Sequence, residues 1–354
     1  MTPAVLTTTS DDCMVRRRPL RGAPLDAAAL ALSGLEIMER YRDRRLPGPA
    51  VAHLTGLLIT GAGPGTVTAT MPLTHWLRWS RGQVPPPVLA LLADTPLGAA
   101  CQTLLPPGNL LATVQLTLAF PPLALDGDGA LAAVGWAGKA LPGNAMRSHV
   151  AITDGATAIA EGSALMVVRG AGAPGGGASG GAAPAPAAQD GEMPDPYLCP
   201  PEGETLGPDA LSRLRGLDLV AGVARGDLPA PPLQRLCGLR PTSAREGVSV
   251  WQMPAVPWLS IVVPGEVYGG ATAMLTGMAA LGTADTLAPA GIAAQMRQLT
   301  VRLRGRAVPD GSELVAHGTV LRRAGEELRV RVQAMDRRGN VVATARATCT
   351  VRGV

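Results

Sequence analysis

The sequence predicts an α+β fold in which two copies of one domain follow each other along the chain. Three observations predict it: a stretch of sequence that repeats at a nearly constant spacing, one long apolar helix in each copy, and a group of strands after each helix. A long helix embraced by an antiparallel sheet is an α+β arrangement. At 354 residues, with a hydrophobic fraction of 47%, the chain is long and apolar enough to build two cores.

The internal repeat sets the organisation of the chain. Segment 46–57 matches segment 228–239 at an offset of 182 residues. One extra residue then enters the second copy, and segment 82–94 lies on segment 265–277 at an offset of 183. A series of matches over about 120 residues with a single insertion does not arise by chance. We therefore treat the two copies as versions of one domain.

Composition sets the expected domain boundaries around this repeat. We expect residues 1–25 to be disordered and residues 26–170 to form the first domain. Residues 171–205 are rich in Gly, Ala and Pro and have little to bury, which predicts a flexible linker. Residues 206–354 then form the second domain.

Each copy has the same predicted order of elements. An amphipathic helix comes first, with Met38 and Tyr41 on its apolar face in the first copy, and a strand with period-2 alternation follows. A long apolar helix comes next, at 88–104 and at 271–287. After a Pro/Gly break we expect strands at 109–121, 130–140, 145–153 and 157–169 in the first copy, and at 292–304, 312–323 and 327–351 in the second.

The charge of the chain is modest. Its net charge of +4 comes almost entirely from arginine, and its aromatic fraction is only 3%. This excess is too weak, and aromatic residues are too few, for a nucleic-acid-binding protein. It fits an anionic ligand such as a nucleotide phosphate or an acidic carrier protein. The arginines on the strands of the second copy are expected to form a solvated face or to meet such phosphates.

The cysteines and the apolar runs bear on the compartment. The five cysteines have neither metal-ligand spacing nor the even count of a disulfide framework, which predicts a reducing cytoplasm and no metal site. The arginines at 16–18 precede a short apolar run at 27–35, which continues into Glu36 and Glu39 and predicts an amphipathic helix rather than an export signal. We expect no membrane span, because no stretch of about 18 apolar residues is present.

A pattern ahead of each long helix points to a family. The second copy has PWL at 257–259 and GEVYGG at 265–270, and the first has HWL at 75–77 and GQVPPPVLALLAD at 82–94. Both resemble the pattern P-W-L-(x)n-G-x-V-H-G-G-x-x-x-x-L-x-D of the hotdog-fold acyl-CoA thioesterases of the phenylacetate-pathway type. The resemblance covers both copies nearly end to end. It implies a tandem, or double, hotdog in which antiparallel sheets each wrap a long central helix.

The resemblance implies a site built from two groups on opposite subunits. One is a backbone N–H at the free N-terminus of the long helix, which binds the thioester carbonyl oxygen where the helix dipole stabilises negative charge. The other is a helix carboxylate that acts as general base for water or as nucleophile. In this chain the two copies stand in for the two subunits.

The two copies have lost complementary parts of that site. The first copy keeps the carboxylate as Asp94, but its H-G-G has become three prolines at 85–87, and proline has no N–H to donate. The second copy keeps Gly269 and Gly270 but has Gly277 in place of the carboxylate. One complete site is therefore expected, with Asp94 and the Gly270 amide as its catalytic groups.

The resemblance also implies substrate-binding residues. Tyr268 stands where the family has His, and with Gly269 it is expected to contact the substrate. Trp76 and Trp258 are equivalent in the repeat, and they either pack in the core or line the acyl pocket. Structural alternatives stay open, because Tyr-Gly-Gly also makes tight turns and Asp94 can bond locally within its helix. No catalytic histidine is expected, since the four histidines are scattered.

The leading hypothesis for function is hydrolysis of an acyl thioester carried by coenzyme A or an acyl-carrier protein, with no metal or redox cofactor. Open sheet edges and the hotdog resemblance favour a homodimer of the fused chain. Two alternatives remain: a dehydratase or cyclase of a biosynthetic pathway, and an acyl-binding protein without turnover.

Overall fold

The architecture is one antiparallel sheet with two long helices against it. The computed structural model describes residues 12–122, 125, 127–170, 193–261 and 265–352. Twelve strands of this described part join into a single sheet, and all of their pairings are antiparallel. The predicted α+β class is confirmed.

The first half of the chain supplies five helices and six strands to the described structure. The helices are α1 (Met14–Arg17), α2 (Ala27–Leu30), α3 (Gly34–Arg42), α4 (Ala50–Thr55) and α5 (Leu89–Gln102). The strands are β1 (Leu58–Gly63), β2 (Thr66–Pro72), β3 (Asn109–Ala119), β4 (Ala130–Leu141), β5 (Ala145–Asp154) and β6 (Thr157–Gly170).

The second half supplies four helices and six strands to the described structure. The helices are α6 (Pro208–Arg213), α7 (Gly216–Arg225), α8 (Pro232–Cys237) and α9 (Gly269–Asp285). The strands are β7 (Arg240–Arg245), β8 (Val248–Pro254), β9 (Gln295–Leu303), β10 (Glu313–Ala324), β11 (Glu327–Met335) and β12 (Val341–Thr350).

The strand order reads the same from both ends of the sheet. It is β1-β2-β4-β5-β6-β3 followed by β9-β12-β11-β10-β8-β7, so each strand of one half has a counterpart in the other. The halves join where β3 pairs with β9, from Gln115–Arg302 to Ala119–Gln298. The N-terminal part of β3 has no partner on the β9 side, and this opening positions the site described below.

The helices α5 and α9 are buried almost completely. Nearly every residue of both is inaccessible, and the two helices also contact each other. A helix that is apolar all round needs cover on every side, and here the sheet covers one side and the partner helix another. No helix in the described ranges is long and apolar enough to cross a membrane.

Sequence patterns located the long helices and most strands closely. The helix expected at 88–104 is α5 preceded by a short 3-10 turn, and the one expected at 271–287 begins two residues earlier, at Gly269. The edge strands β1 and β7 were not predicted. Their sequences, LITGAG and RPTSAR, lack a buried alternating pattern, since an edge strand is covered on fewer sides.

The N-terminal segment differs from the expected disorder of residues 1–25. In residues 12–25, Met14 and Val15 are buried in the main core. The Trp258 indole N–H donates to the Arg18 carbonyl at 3.2 Å. Since the tryptophan supplies a partner for this backbone and the apolar side chains supply contacts, the segment packs against the second half.

Residues 193–205, at the end of the predicted linker, are also packed against the rest of the protein. Residues 193–205 were assigned to the flexible linker, but the Trp76 indole N–H donates to the Cys199 carbonyl at 2.9 Å. Each half is therefore covered by a strip of chain that the repeat pattern does not contain. The expected disorder of residues 1–11 and flexibility of residues 171–192 lie outside the described residues.

Candidate active site

A cavity of about 530 Å³ opens beside the junction of the two halves. Its walls come from α3, from one face of α5, from the unpaired start of β3 and from the first residues of α9. Asp94, Thr113 and Gly269 all line it. The opening where β3 has no β9 partner therefore brings residues of both halves to one cavity.

Asp94 is a buried carboxylate with two polar partners. Asp94 lies in the first turns of α5, and only 5% of its surface is exposed. The Thr113 hydroxyl donates to one carboxylate oxygen at 2.8 Å, and the backbone N–H of Gly270 lies near enough to the carboxylate to lower its pKa. The two partners belong to opposite halves of the chain. A buried carboxylate needs such partners, and here they hold it at the cavity wall.

The protonation of Asp94 is shifted towards neutrality. Burial raises the pKa of its carboxyl to about 6, because the charged form loses solvation. The hydrogen bond from Thr113 and the nearby Gly270 amide act in the opposite direction and stabilise the anion. The result is a carboxylate that is ionised at neutral pH yet basic enough to accept a proton.

Position 269 requires glycine because the Asp94 carboxylate lies too close to its backbone for a larger residue. A Cβ atom added there would lie 2.7 Å from Asp94 Oδ2 and 3.1 Å from Leu303 Cδ1. Gly269 and Gly270 are the first two residues of α9, where backbone N–H groups lack intrahelical acceptors and the helix dipole is positive. The carboxylate therefore lies against the N-terminus of a 17-residue helix.

Tyr268 joins this helix end to α5. Its hydroxyl donates to the Leu91 carbonyl at 2.9 Å and lies 2.8 Å from the Thr95 hydroxyl. Both partners flank Asp94 along α5. Burial, and next the charge of Asp94, raise the pKa of the phenol well above its usual value. Tyr268 borders the cavity, but its hydroxyl is used in the contact between the two helices.

The rim of the cavity carries an ion cluster. Glu266 lies 3.3 Å from Arg169 and 2.7 Å from Arg306, and all three line the cavity. Arg169 ends β6 of the first half, whereas the other two belong to the second. Two arginines against one glutamate leave this part of the rim with a net positive charge.

A second pair faces the same cavity from the other side. His53 Nδ1 lies 3.0 Å from Asp195 Oδ1, and both residues line the cavity. Arg21 also contacts Asp195, at 2.9 Å. The sequence had suggested no role for this histidine, because Asp195 lies 142 residues away and only the fold brings the two together.

We call the Asp94–Gly269 cavity the open site, and the equivalent position around Gly277 the closed site. At the closed site a Cβ atom added to Gly277 would lie 2.7 Å from the Pro87 Cβ atom and 2.9 Å from Leu299. Pro87 takes the place that Gly270 has at the open site. The closed site therefore has no carboxylate and no amide donor, and its helices are in direct contact.

The tryptophans expected as possible pocket residues are structural. Trp76 and Trp258 are buried, and their indole N–H groups donate to backbone carbonyls. Neither residue lines the open site. Core packing, one of the two roles expected for them, is what the contacts support, because an indole that donates to a fixed carbonyl is held away from the ligand.

Sequence reasoning brought Asp94, Tyr268, Gly269 and Gly270 to one site but missed Thr113. The Gly270 amide, expected to bind the thioester oxygen, lies beside Asp94 and lowers the pKa of its carboxyl. Thr113 is one of two threonines in β3, and it lies beside the bulge that shifts the β3–β6 register. No local pattern distinguishes it, and only the pairing of the strands places it near the carboxylate.

Comparisons with solved structures define the class of the fold. A hot dog fold protein of unknown function from Alicyclobacillus acidocaldarius is 13% identical with a TM-score of 0.51, covering 86% of this chain and 98% of its own. An acyl-CoA thioesterase II from Mycobacterium marinum is 10% identical with a TM-score of 0.50, covering 85% and 98%. A protein from Novosphingobium aromaticivorans assigned as a thioesterase is 15% identical with a TM-score of 0.50, covering 82% and 100%.

These likenesses show that the chain has the hotdog fold, as the sequence motif indicated. The recognition of the fold is confirmed, and solved structures that share it include proteins named as thioesterases. No protein-family model matches the sequence, and no curated protein matches it either.

Proposed function

We propose that the chain is a tandem double hotdog that hydrolyses an acyl thioester at the open site. In this proposal the domains are residues 26–170 and 206–354, each covered by one of the strips at 12–25 and 193–205. One observation carries the proposal: Asp94 of the first half and the N-terminal amides of α9 from the second meet at one cavity.

Asp94 acts as general base in this proposal. It removes a proton from a water molecule, whose oxygen attacks the thioester carbonyl carbon and forms a tetrahedral oxyanion. The intermediate collapses, the carbon–sulfur bond breaks, and the leaving thiolate takes the proton from Asp94. The products are a carboxylic acid and a thiol. A pKa of about 6 suits both transfers, because the group is ionised at neutral pH and is reprotonated easily.

The helix end provides the oxyanion donor. The Thr113 hydroxyl donates to Asp94 and holds the base, and the Gly270 N–H lies beside the same carboxylate. The neighbouring Gly269 N–H has no backbone acceptor among the described residues, and Gly269 lines the cavity. We assign the thioester oxygen to this pair of amides, with Gly269 as the donor that is open to the ligand. The positive end of the α9 dipole adds to the stabilisation of the oxyanion.

Three finer points belong to the same proposal. The thiol carrier is coenzyme A or an acyl-carrier protein, since Arg169 and Arg306 at the rim suit a phosphate. The fused chain forms a homodimer, because β1 and β7 are open edges of the described sheet. The reaction takes place in the reducing cytoplasm, where the buried thiols stay reduced.

The test compares the purified protein with Asp94→Asn on a panel of acyl-CoAs, with a thiol reagent to detect release. We expect kcat to fall at least 1,000-fold in the variant, the upper range for loss of a general base. A matched control is Asp285→Asn, since Asp285 is a half-buried aspartate whose pKa is also raised but which lies on α9 outside the cavity. This control keeps kcat within threefold.

The alternatives give different outcomes in this assay. Hydrolysis that persists in the Asp94→Asn variant contradicts the assignment of the base. Saturable binding of acyl-CoA without thiol release at any acyl length identifies an acyl-binding protein and contradicts hydrolysis.

A second candidate function is favoured by one observation. The His53–Asp195 pair lines the same cavity, and a dehydratase or cyclase uses a base of this kind on the acyl group. A product of changed mass with its thioester intact, lost in His53→Ala but kept in Asp94→Asn, would favour this candidate over hydrolysis.

A further inference from the structure

One face of α5 lines the cavity beyond the carboxylate. Asp94, Gly98 and Gln102 lie one turn apart on this face, and Thr95 and Ala99 lie beside them. With a rise of about 1.5 Å per residue, the face extends roughly 12 Å from the carboxylate to the end of the helix. It forms one side of a channel that starts at the reacting group.

The opposite side of this channel is apolar. It is formed by Ile37, Met38 and Tyr41 of α3, by Ile59 of β1 and by Leu110 of β3. These residues belong to a small hydrophobic cluster that is separate from the main core. An apolar wall that faces a cavity rather than other side chains is suited to an alkyl chain.

The closed site shows why the channel exists on one side only. The repeat places Met278 at the position of Thr95 and Leu281 at the position of Gly98. It also places Trp251 at the position of Ala69. These larger side chains are buried in the second half.

Trp251 fills the equivalent space at the closed site. A Cβ atom added to Gly282, the counterpart of Ala99, would lie 2.4 Å from the Trp251 ring. The ring also lies 5.3 Å from the ring of Trp79. The two tryptophans therefore occupy the volume that stays empty beside α5.

We propose that this channel binds an unbranched acyl chain of about eight carbons, and that Gly98 keeps it open. An extended alkyl chain advances roughly 1.3 Å per carbon, given C–C bonds of about 1.5 Å, so a 12 Å face fits eight to ten carbons. The nearest atom to a Cβ added at Gly98 is Met166 Cε, at 3.8 Å. A larger side chain at this position has room to fold but blocks the channel.

The inference rests on the proposed function only for the identity of the reacting group. The test therefore uses S-alkyl-CoA thioethers, which bind but are not hydrolysed. Their dissociation constants are measured by calorimetry for alkyl chains of 4, 8, 12 and 16 carbons. In the wild type, Kd is expected to fall at least 30-fold from butyl to octyl, at up to about fourfold per methylene, and to change little beyond about ten carbons.

Gly98→Leu reproduces the side chain of the closed site. We expect it to weaken octyl binding at least tenfold while butyl binding stays within threefold. Helix propensity favours Leu over Gly, so the variant is expected to fold. A matched control is Leu281→Ala, which removes the equivalent side chain in the second half and leaves every Kd within twofold.

The results that overturn the inference are distinct from those that overturn hydrolysis. A Kd that is independent of chain length, or that keeps falling through sixteen carbons, contradicts the channel length. Octyl binding that is unchanged in Gly98→Leu contradicts the role of that glycine. Length-dependent binding together with no thioester cleavage supports the channel and contradicts only the proposed function.

Discussion

The open and closed sites start from equivalent positions on α5 and α9 and differ in the size and charge of a few side chains. At the open site a carboxylate faces a glycine amide, and at the closed site Gly277 faces Pro87. Behind the open site Gly98 leaves a channel, whereas behind the closed site Leu281 and nearby tryptophans fill it.

Under the proposed function, this difference illustrates how a tandem repeat can keep one site and use the equivalent position as core. A second carboxylate without an amide donor would be a buried charge, which destabilises the fold by several kcal/mol. The losses at Gly277 and Pro87 remove both parts together, and apolar packing replaces them. The predictions that follow either break this difference or sharpen it.

Among the changes that compare the two sites, the largest effect is expected from a single methyl group at the open site. Gly269→Ala places a Cβ atom 2.7 Å from Asp94 Oδ2, so the carboxylate must move. We expect kcat to fall about 100-fold, the scale of a displacement of about 1 Å in a catalytic group. Steady-state kinetics on octanoyl-CoA measure it.

The matched change at the closed site is Gly277→Ala, which brings a methyl group against Pro87. It is expected to lower the melting temperature while kcat stays within threefold. Equal losses of kcat in the two variants would contradict the difference between the sites.

The next largest effect is on the free energy of unfolding, which depends on the protonation of Asp94. Its pKa is about 6 in the folded protein and close to 3.8 when unfolded. Between these values the folded state binds more protons, so stability falls as pH rises, and the destabilisation is complete above about pH 6. Asp94→Asn removes it, and we expect the free energy of unfolding to increase by roughly 3 kcal/mol at pH 7.5.

The same variant should show little gain near pH 4, where the wild-type carboxyl is already protonated. Urea denaturation at the two pH values measures both. An equal gain at both would show that the destabilisation does not come from ionisation of Asp94.

In the proposed mechanism Asp94 also sets the pH dependence of hydrolysis. Its ionisation lowers the stability of the fold but is required for the reaction. The general base must be ionised, so kcat/KM is expected to fall tenfold per pH unit below about pH 6 and to be level above it. A profile measured between pH 4.5 and 8 tests this. An inflection near pH 4 would indicate a solvated carboxylate rather than the buried one.

The smallest effect is expected from Tyr268→Phe. It removes the hydrogen bond to the Leu91 carbonyl, which is worth about 1 kcal/mol, and loosens the contact between α5 and the N-terminus of α9. We expect kcat to fall about fivefold with KM unchanged, because the hydroxyl faces α5 rather than the ligand. A rise in KM at constant kcat would instead identify Tyr268 as a substrate contact.

The repeat made much of the site predictable from the sequence. Its register showed that the two copies differ at Asp94 and at the glycines 269–270, the family resemblance paired those groups across the two copies, and apolar runs located α5 and α9 within a few residues. The absence of an amide donor at Pro87 could be predicted directly from the sequence, because proline lacks an N–H in any fold.

Other parts depended on contacts that no local pattern carries. The covering strips lie outside the repeat, and their order comes partly from tryptophans elsewhere in the chain, as in the bond from Trp76 to Cys199. Thr113 acquires its role only because β3 runs beside α5. The empty channel depends on which side chains are absent, and its closure at Trp251 is visible only once the helix and the strand are packed together.

The number of ligands bound per chain tests the central claim most directly. Isothermal titration of the folded chain with S-octyl-CoA should give one site per chain, and Gly98→Leu should weaken that single site. Two equivalent sites per chain would contradict the account, because the position between Gly277 and Pro87 would then also accept a ligand.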